Sequence, residues 1–388
     1  MDRADLSFIL NHLGEDREAG YRAVVPPIVQ SGNFTYPNVA GLRAAMRQEF
    51  DRPVYTRGAN PTVTMVRRKL AALEHAEDAL LFGSGSAAMA AGILGFVKAG
   101  DHIVCVKKPY SWTAKLLGHL LPRFNVETDF IDGTNPENFR KAARPNTRMF
   151  ITESPNSVTF ELQDLRAVAA IAKERGILTL CDNSYSSPLF QNPIDLGIDL
   201  VAHSGTKYLN GHSDVVCGVL AGSREHIRQV MAGEFMTLGA IPSPHDAWLV
   251  MRGLRTLELR AHRSADSAEK VARFLEAHPK VKQVNWPFLE SFPQHGLAKR
   301  QMKRCAGLMS IRVAAADVAA VERFCDTLQR FLLAVSWGGY ESLQFPTAAV
   351  VDPAAPSGEL PWDLVRLYVG LEDPEVLMRD LDQALAKV

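Results

Sequence analysis

The chain has 388 residues, enough for two domains and a large buried core. Hydrophobic residues make up 47% and charged residues 22%, and 43 Lys and Arg residues balance 43 Asp and Glu residues. This composition is typical of an ordinary globular protein, and its neutral charge argues against nucleic acid or an anionic membrane as a partner, because both attract basic surfaces.

The chain also lacks the sequence signals of export. Its charged N-terminal stretch has no long apolar core, which predicts no signal peptide, and no stretch approaches the ~20 apolar residues of a membrane helix. The five cysteines are far apart and form no C-x-x-C pair. Their spacing predicts a reducing, cytoplasmic environment and no cysteine-based zinc site.

Residues 1–50 contain Pro-punctuated extended stretches, and we interpret them as an arm with little core of its own. After this arm, short apolar strands alternate with helical segments. The predicted strands are DALLF, HIVCVKK, TRMFITES, ILTLCDNS and LVAHSG, and the helices include SAAMAAGILGFVKAG and DLRAVAAIAKERG. This alternation predicts a mostly parallel sheet that is covered by helices on both faces.

One long helical segment follows Pro244, and we place a domain boundary near its start, at about residue 250. Residues 51–250 are therefore predicted to form a large α/β domain. Residues 251–388, with the strand GLMSIRVA and the final helix PEVLMRDLDQALAKV, are predicted to form a smaller α+β domain.

The stretch FGSGSAAMA has Gly83, Gly85 and Ala88 in the three places of the dinucleotide fingerprint G-x-G-x-x-A. A nicotinamide dehydrogenase would also need an acid about 20 residues later, at the end of the next strand, but that strand ends in lysines. A helix start of small residues also suits a lone phosphate, because its free N–H groups and dipole attract anions. A purely structural tight helix start is the third alternative.

Two ionisable residues follow neighbouring predicted strands. Asp182 ends the strand in LTLCDNSYSSP, and Lys207 follows the next strand, flanked by Ser204 and Thr206. A buried carboxylate needs a cation or proton donor, although an Asp can also simply cap a helix. These groups together fit the cofactor pyridoxal phosphate (PLP). A lysine binds its aldehyde as a Schiff base, an acid holds its pyridinium nitrogen, and hydroxyls with a helix start hold its phosphate. A solvated lysine is the plain alternative.

His203 and His212 lie beside Asp214 in HSGTKYLNGHSD, as metal ligands could. No further ligand is spaced to join them, so we interpret both histidines as structural and predict no metal site.

Further motifs stand in order along the chain: YTRGANPT, GSGSAA, GDHIVCVKKPYSWT, ESPNSVT, CDNSYSSP, SGTKYLNGHSD, MRGLRTLELR, SWGGYESL and RLYVGLED. With these motifs, the chain resembles the Cys/Met-metabolism family of PLP enzymes over nearly its whole length. The resemblance implies a fold-type-I PLP-dependent transferase fold of the α/β class. It comprises a large, mostly parallel seven-stranded sheet domain and a smaller C-terminal α+β domain.

The resemblance also implies the cofactor contacts. Lys207 forms the Schiff base with PLP and later moves protons, Asp182 pairs with the pyridine nitrogen, and Tyr110 stacks on the ring and assists the leaving group. The groups that hold the phosphate are Gly85, Ser86, Ser204 and Thr206.

For the substrate, the resemblance implies a sulfur amino acid whose carboxylate is bound by Arg366, with Ser336 and Trp337 completing the pocket. It further implies that Tyr55 and Arg57 reach the phosphate of a neighbouring subunit, which the arm of residues 1–50 contacts. The enzyme would then be an active dimer, usually assembled into a tetramer. A non-catalytic scaffold of this fold is a third class of function, but it would not need Lys207 with its partners.

The chain departs from the family pattern at several positions. Ser157 stands where many members have Asn, Ser86 where Met is usual, and Ser111 and Trp112 where small glycines are common. These changes affect the choice of substrate rather than the cofactor.

Val335 stands where the γ-acting branch of the family commonly has Glu, and SWGGYESL and ESPNSVT resemble bacterial cystathionine β-lyases. The expected reaction is therefore β-elimination of L-cystathionine to homocysteine, pyruvate and ammonia. The alternative is a γ-acting member: a cystathionine γ-lyase, cystathionine γ-synthase, methionine γ-lyase or homoserine-ester sulfhydrylase.

Overall fold

The computed structural model describes residues 5–350 and 360–388. Residues 1–4 of the predicted arm lie outside the described residues. Seven strands form the first sheet: β1 (Asp78–Phe82), β2 (His102–Val106), β3 (Glu127–Ile131), β4 (Thr147–Glu153), β5 (Leu178–Asp182), β6 (Leu200–Ser204) and β7 (Gly218–Gly222). Five more form the second: β8 (Val281–Asn285), β9 (Leu308–Val313), β10 (Leu332–Leu333), β11 (Leu343–Pro346) and β12 (Leu364–Tyr368).

Helices surround these sheets. They are α1 (Leu6–Asn11), α2 (Val39–Met46), α3 (Pro61–Leu73), α4 (Gly85–Leu94), α5 (Ser111–Lys115), α6 (Glu137–Ala142), α7 (Leu165–Glu174), α8 (Ser187–Phe190), α9 (Arg224–Val230), α10 (Met236–Leu238), α11 (Pro244–Leu254), α12 (Leu257–Ala277), α13 (His295–Gln301), α14 (Val318–Thr327) and α15 (Pro374–Leu385). Short 3₁₀ segments lie at Leu121–Phe124, Pro193–Leu196 and Thr347–Ala349, and π-helical turns at Leu116–Leu120 and Met231–Phe235. None of the helices in the described ranges is both long and apolar enough to cross a bilayer.

The first sheet has the strand order β1-β7-β6-β5-β4-β2-β3. Only β7 is antiparallel to its neighbours, so the prediction of a mostly parallel seven-stranded sheet is confirmed. Every residue of β2 and β7 is buried, as expected for strands covered on both faces. Parallel strands end at one edge of the sheet, which brings the loops after β2, β4, β5 and β6 together.

The second sheet, in the order β10-β11-β12-β9-β8, is mostly antiparallel and belongs to the C-terminal part of the chain. The largest hydrophobic cluster runs from Ile9 to Leu385 and includes residues on both sheets. The domain limits at residue 250 stay a prediction; this residue lies inside α11, between the last strand of the first sheet and the first strand of the second.

Two details of the predicted elements were wrong. The long helix after Pro244 is two helices, α11 and α12, interrupted at Arg255 and Thr256. Near the end of α11, Gly253 packs directly on another backbone: a Cβ there would lie 2.1 Å from the Asn210 carbonyl oxygen. The helix predicted to run to Gly100 ends at Leu94. Strands β3 and β7 were not predicted, since β3 (ETDFI) has three polar residues and β7 (GVLAG) has two glycines, and acids and glycine are uncommon in strands.

The start of the arm is anchored on its own chain. Ile9 and Leu10 are buried in the main cluster, and the fully buried Lys69 donates hydrogen bonds to their carbonyl oxygens at 3.0 and 3.2 Å. Lys69 also pairs with Glu15 at 3.1 Å. Later in the arm, Tyr21 is 91% exposed. The predicted contact of this arm with a neighbouring subunit stays a prediction.

Candidate active site

A cavity of about 220 Å³ opens at the carboxyl edge of the first sheet. Most of the residues predicted for the cofactor site line it: Gly85, Ser86, Tyr110, Asp182, Ser204, Thr206 and Lys207. The predicted carboxylate pocket adjoins it, because Trp337 lines the cavity and Ser336 contacts Lys207 directly. The fold therefore brings together residues that are far apart in the chain: Gly85 and Trp337, 252 positions apart, both line the cavity.

Helix α4 begins at the cavity with a tight turn. The Ser84 hydroxyl accepts a hydrogen bond from the backbone N–H of Ala87 at 3.1 Å, which caps the helix. A Cβ on Gly85 would lie 2.8 Å from the Cα of Ser204, so only glycine fits where the helix start meets the end of β6. This close packing accounts for Gly85 without a dinucleotide, and it leaves the first N–H groups of α4 facing the cavity as an anion site.

Asp182 is the last residue of β5 and lines the cavity. Its Oδ1 accepts a hydrogen bond from the backbone N–H of Ser184 at 2.9 Å. Since an ionised carboxylate can accept several hydrogen bonds, Asp182 can also meet a cationic group in the cavity.

Lys207 lies in the turn after β6, where its backbone N–H donates to the Ser204 carbonyl at 3.1 Å. Its ammonium group donates a hydrogen bond to the Ser336 hydroxyl and lies 5.4 Å from the centre of the Trp337 ring. Burial, followed by the charge of Arg366, lowers the pKa of Lys207 to about 8. An amine with this pKa is partly neutral near pH 7, as a nucleophile or proton acceptor must be.

Arg366 reaches the same region from β12 of the second sheet. Its Nη1 donates to the Ser157 carbonyl at 3.3 Å and its Nη2 to the Ser336 carbonyl at 3.4 Å. Burial lowers the pKa of Arg366 to about 10, and the group remains a cation at neutral pH. Ser336 has a φ of +76°, a left-handed conformation that is uncommon for residues other than glycine.

Tyr55 and Arg57 are not brought to the cavity of their own chain. The Arg57 guanidinium lies 5.3 Å from the centre of the Tyr55 ring, and Tyr55 is 53% exposed. Arg57 lines a separate crevice beside Phe235.

The sequence analysis missed one buried acid at the site. Glu153 ends β4, pairs in register with Asp182 on β5, and lines the cavity. Burial first, then the charge of Asp182, raises the pKa of Glu153 to about 8. The signal was present in the sequence, since this acid closes a predicted strand directly next to the strand of Asp182.

The two histidines of the lysine loop have polar partners. His203 is buried and hydrogen-bonds to Glu74, and His212 hydrogen-bonds to the Asn210 carbonyl oxygen at 2.8 Å. Within residues 5–350 and 360–388, no group of three or more His, Cys, Asp or Glu side chains is arranged to hold a metal ion.

Comparison with known proteins assigns this combination of fold and site. The family model described as "Cys/Met metabolism PLP-dependent enzyme" matches residues 8–386. The chain belongs to this family. Its cofactor is accordingly PLP, and its substrate is a small amino acid. The acid at the end of β5, the open helix start and the lysine with the lowered pKa fit this cofactor.

Several relatives match along the whole chain. The chain is 40% identical to L-methionine gamma-lyase of Treponema denticola, over 95% of this chain and 94% of the relative. It is 39% identical to cystathionine gamma-synthase of Mycobacterium tuberculosis, over 95% of each. The crystal structure of metB from Corynebacterium glutamicum superposes with a TM-score of 0.92 at 35% identity, over 99% of this chain and 98% of that one. This similarity confirms the predicted fold.

These names bear on the expected reaction. A third relative, cystathionine gamma-lyase of Dictyostelium discoideum, is 35% identical over 97% of this chain and 96% of its own length. The relatives named here are γ-lyases and γ-synthases, so they favour the γ-acting alternative over the expected β-elimination of cystathionine.

Proposed function

We propose that this enzyme acts at the γ-carbon of a sulfur amino acid, by elimination or replacement of a sulfur-containing or ester leaving group. The similarity over the full chain to γ-lyases and a γ-synthase is the observation that carries this proposal. L-Methionine is the first substrate to test, since a methionine gamma-lyase is 40% identical to the chain.

In this proposal PLP, when bound, supplies an aldehyde and an electron-withdrawing ring that accepts the electron pair released at the α-carbon. Lys207 would hold the cofactor covalently through its amine, and its Nζ, with a pKa of about 8, is suited to accept the α-proton of the substrate. Asp182 would hold the pyridine nitrogen through its carboxylate, and Tyr110 would hold the ring.

The remaining groups orient the two anionic ends of the reactants. Arg366 binds the substrate carboxylate as a two-pronged donor, helped by Ser336 and Trp337. The start of α4, with Gly85 and Ser86, and the hydroxyls of Ser204 and Thr206 hold the phosphate. The γ-reaction needs a second proton removal, from the β-carbon, and Lys207, which lines the cavity, would perform it.

The choice between γ- and β-chemistry is decided by the products. With L-methionine and water, we expect 2-oxobutyrate, methanethiol and ammonia, and with L-cystathionine we expect mainly 2-oxobutyrate and cysteine. Mass spectrometry and NMR of the products would measure both, and turnover of an acylated homoserine with cysteine would identify a γ-synthase. A Lys207→Ala preparation incubated in parallel accounts for non-enzymatic decay.

A β-lyase is the second candidate, and Val335 favours it. This residue is 70% exposed next to Ser336, and it lacks the charge that Glu has at this position in the γ-acting branch. Pyruvate and homocysteine as the main products from L-cystathionine, with no turnover of L-methionine, would reject the γ-proposal in favour of this candidate.

We further propose that the active unit is a dimer, in which Tyr55 and Arg57 of one subunit complete the phosphate site of the other. The exposure of Tyr55 and the position of both side chains outside their own cavity support this arrangement. Two dimers forming a tetramer is the assembly implied by the family resemblance.

Mixing two inactive variants tests the shared site. Arg57→Ala and Lys207→Ala should each be inactive alone. When equal amounts of the two variants exchange subunits, half of the dimers contain one subunit of each variant, and each such dimer has one intact site out of two. The mixture should therefore regain about a quarter of wild-type activity. Size-exclusion chromatography with light scattering would confirm that mixed dimers form. Mixed dimers without recovered activity would contradict a site shared between subunits.

A further inference from the structure

We propose that Glu153 is a positioning residue that holds both Tyr110 and Arg366 in their working places. This inference deepens the proposed function and rests on it, because it takes Tyr110 and Arg366 to be the groups that face the PLP ring and the substrate carboxylate.

The contacts of Glu153 are the first observation. Glu153 is 7% exposed, at the end of β4, and each of its carboxyl oxygens accepts a backbone hydrogen bond from a different loop. Oε2 accepts from the Tyr110 N–H at 2.6 Å, and Oε1 accepts from the Ser157 N–H at 3.0 Å. The Tyr110 loop follows β2 and the Ser157 loop follows β4. The Glu153 side chain therefore connects two loops that lie beyond the hydrogen bonds of the sheet.

The second loop leads on to the substrate-binding arginine. The carbonyl of Ser157 accepts a hydrogen bond from Nη1 of Arg366 at 3.3 Å, while its N–H donates to Glu153. The peptide segment at Ser157 is thus held between an acid and a guanidinium.

A carboxyl group is the side chain that this arrangement requires. It places two oxygens toward the two N–H donors, whereas a Gln offers one oxygen and an NH₂ group that cannot accept an N–H. Burial, followed by the charge of Asp182 on the adjacent strand, raises the pKa of Glu153 to about 8, and the two backbone donors act against this shift. The same two hydrogen bonds compensate for the burial of this acid at the cavity wall.

Glu153→Gln is the test, because it keeps the shape of the side chain and removes one acceptor. We expect a folded enzyme with PLP attached whose kcat/KM is roughly 10- to 100-fold lower, the factor expected when a buried N–H donor loses its acceptor. Release of the Tyr110 loop lowers kcat, and release of the Ser157 loop raises KM through Arg366. The matched control is Glu161→Gln, eight residues along (161 − 153), whose carboxylate pairs with Lys108 at 3.1 Å and does not line the cavity; it should keep wild-type kinetics.

A second background separates positioning from general stability. In Tyr110→Phe, the kcat effect of Glu153→Gln should shrink, because the hydroxyl that Glu153 places is already absent. Equal effects in both backgrounds, or kcat and KM both unchanged in Glu153→Gln, would overturn the inference. If Glu153→Gln does not fold, Glu153→Asp serves instead: it keeps the charge but withdraws it by one methylene, and wild-type kinetics in this variant would also overturn the inference.

The proposed function itself is tested separately by the attachment of PLP. Borohydride reduction and peptide mapping of the wild-type enzyme show which lysine carries the cofactor. A label on Lys207 with normal kinetics in Glu153→Gln would reject only the role of Glu153, whereas a label elsewhere would reject the site on which the inference rests.

Discussion

Lys207→Ala should fold and yet lose at least about 1,000-fold in kcat, because one side chain provides both the covalent attachment and the proton transfer. The fold should persist, since the Lys207 ammonium makes a single side-chain hydrogen bond, to Ser336, and its burial lowers its pKa rather than stabilising the charge. Steady-state kinetics, absorbance of bound PLP and a thermal unfolding curve measure the three quantities.

The matched control is Lys299→Ala, an exposed lysine whose ammonium lies 4.4 Å from the centre of the Phe288 ring. It should keep wild-type activity and the borohydride-fixed label on Lys207. A label on any other lysine of the wild-type enzyme, or turnover by Lys207→Ala at a comparable rate, would disprove the assignment.

Asp182→Asn should slow α-proton exchange by roughly 100- to 1,000-fold, the usual effect of removing one preorganised electrostatic partner. A carboxylate beside the pyridine nitrogen raises the pKa of that nitrogen and keeps it protonated, and an amide does not. The local backbone should be preserved. The Ser184 N–H donates a hydrogen bond to Asp182 at 2.9 Å, and the side-chain oxygen of an Asn can accept the same hydrogen bond. NMR in deuterated water measures the exchange directly.

Asp214→Asn is the corresponding control on the lysine loop. Asp214 accepts a hydrogen bond from the Asn210 side chain at 2.8 Å and does not line the cavity. The Asp214→Asn variant should therefore exchange the α-proton of the substrate at the wild-type rate. Exchange at the wild-type rate in Asp182→Asn as well would mean that this acid does not face the pyridine nitrogen.

Much of the candidate site could be predicted from the sequence, because the sequence shows where the apolar strands end. Asp182 and Lys207 each follow an apolar strand, and in a parallel sheet such ends meet at one edge. The same reasoning would have found Glu153, which ends β4 in register with Asp182, but an acid at a strand end has too many ordinary roles to be singled out alone.

Other features had no local signal. Gly253, near the end of α11, meets the backbone of Asn210, a contact between segments 43 residues apart (253 − 210) that explains why glycine is needed there. Gly85 belongs to a pattern that also suits a dinucleotide, and only its approach to Ser204 shows why glycine is needed there. Both are close backbone contacts, which a periodicity of apolar residues does not encode.

The sequence by itself determined the mostly parallel sheet and the cofactor, and it predicted the lysine, since these depend on short-range patterns: apolar strands, the residues that end them, and ordered motifs. The tertiary structure decided which groups lie close to one another. Burial, followed by the charge of Arg366 on a strand of the other sheet, lowers the pKa of Lys207, and Glu153 links the loops of Tyr110 and Ser157. Such couplings depend on distances of a few ångströms between side chains far apart in the chain, and Coulomb and hydrogen-bond energies are set by those distances and by burial.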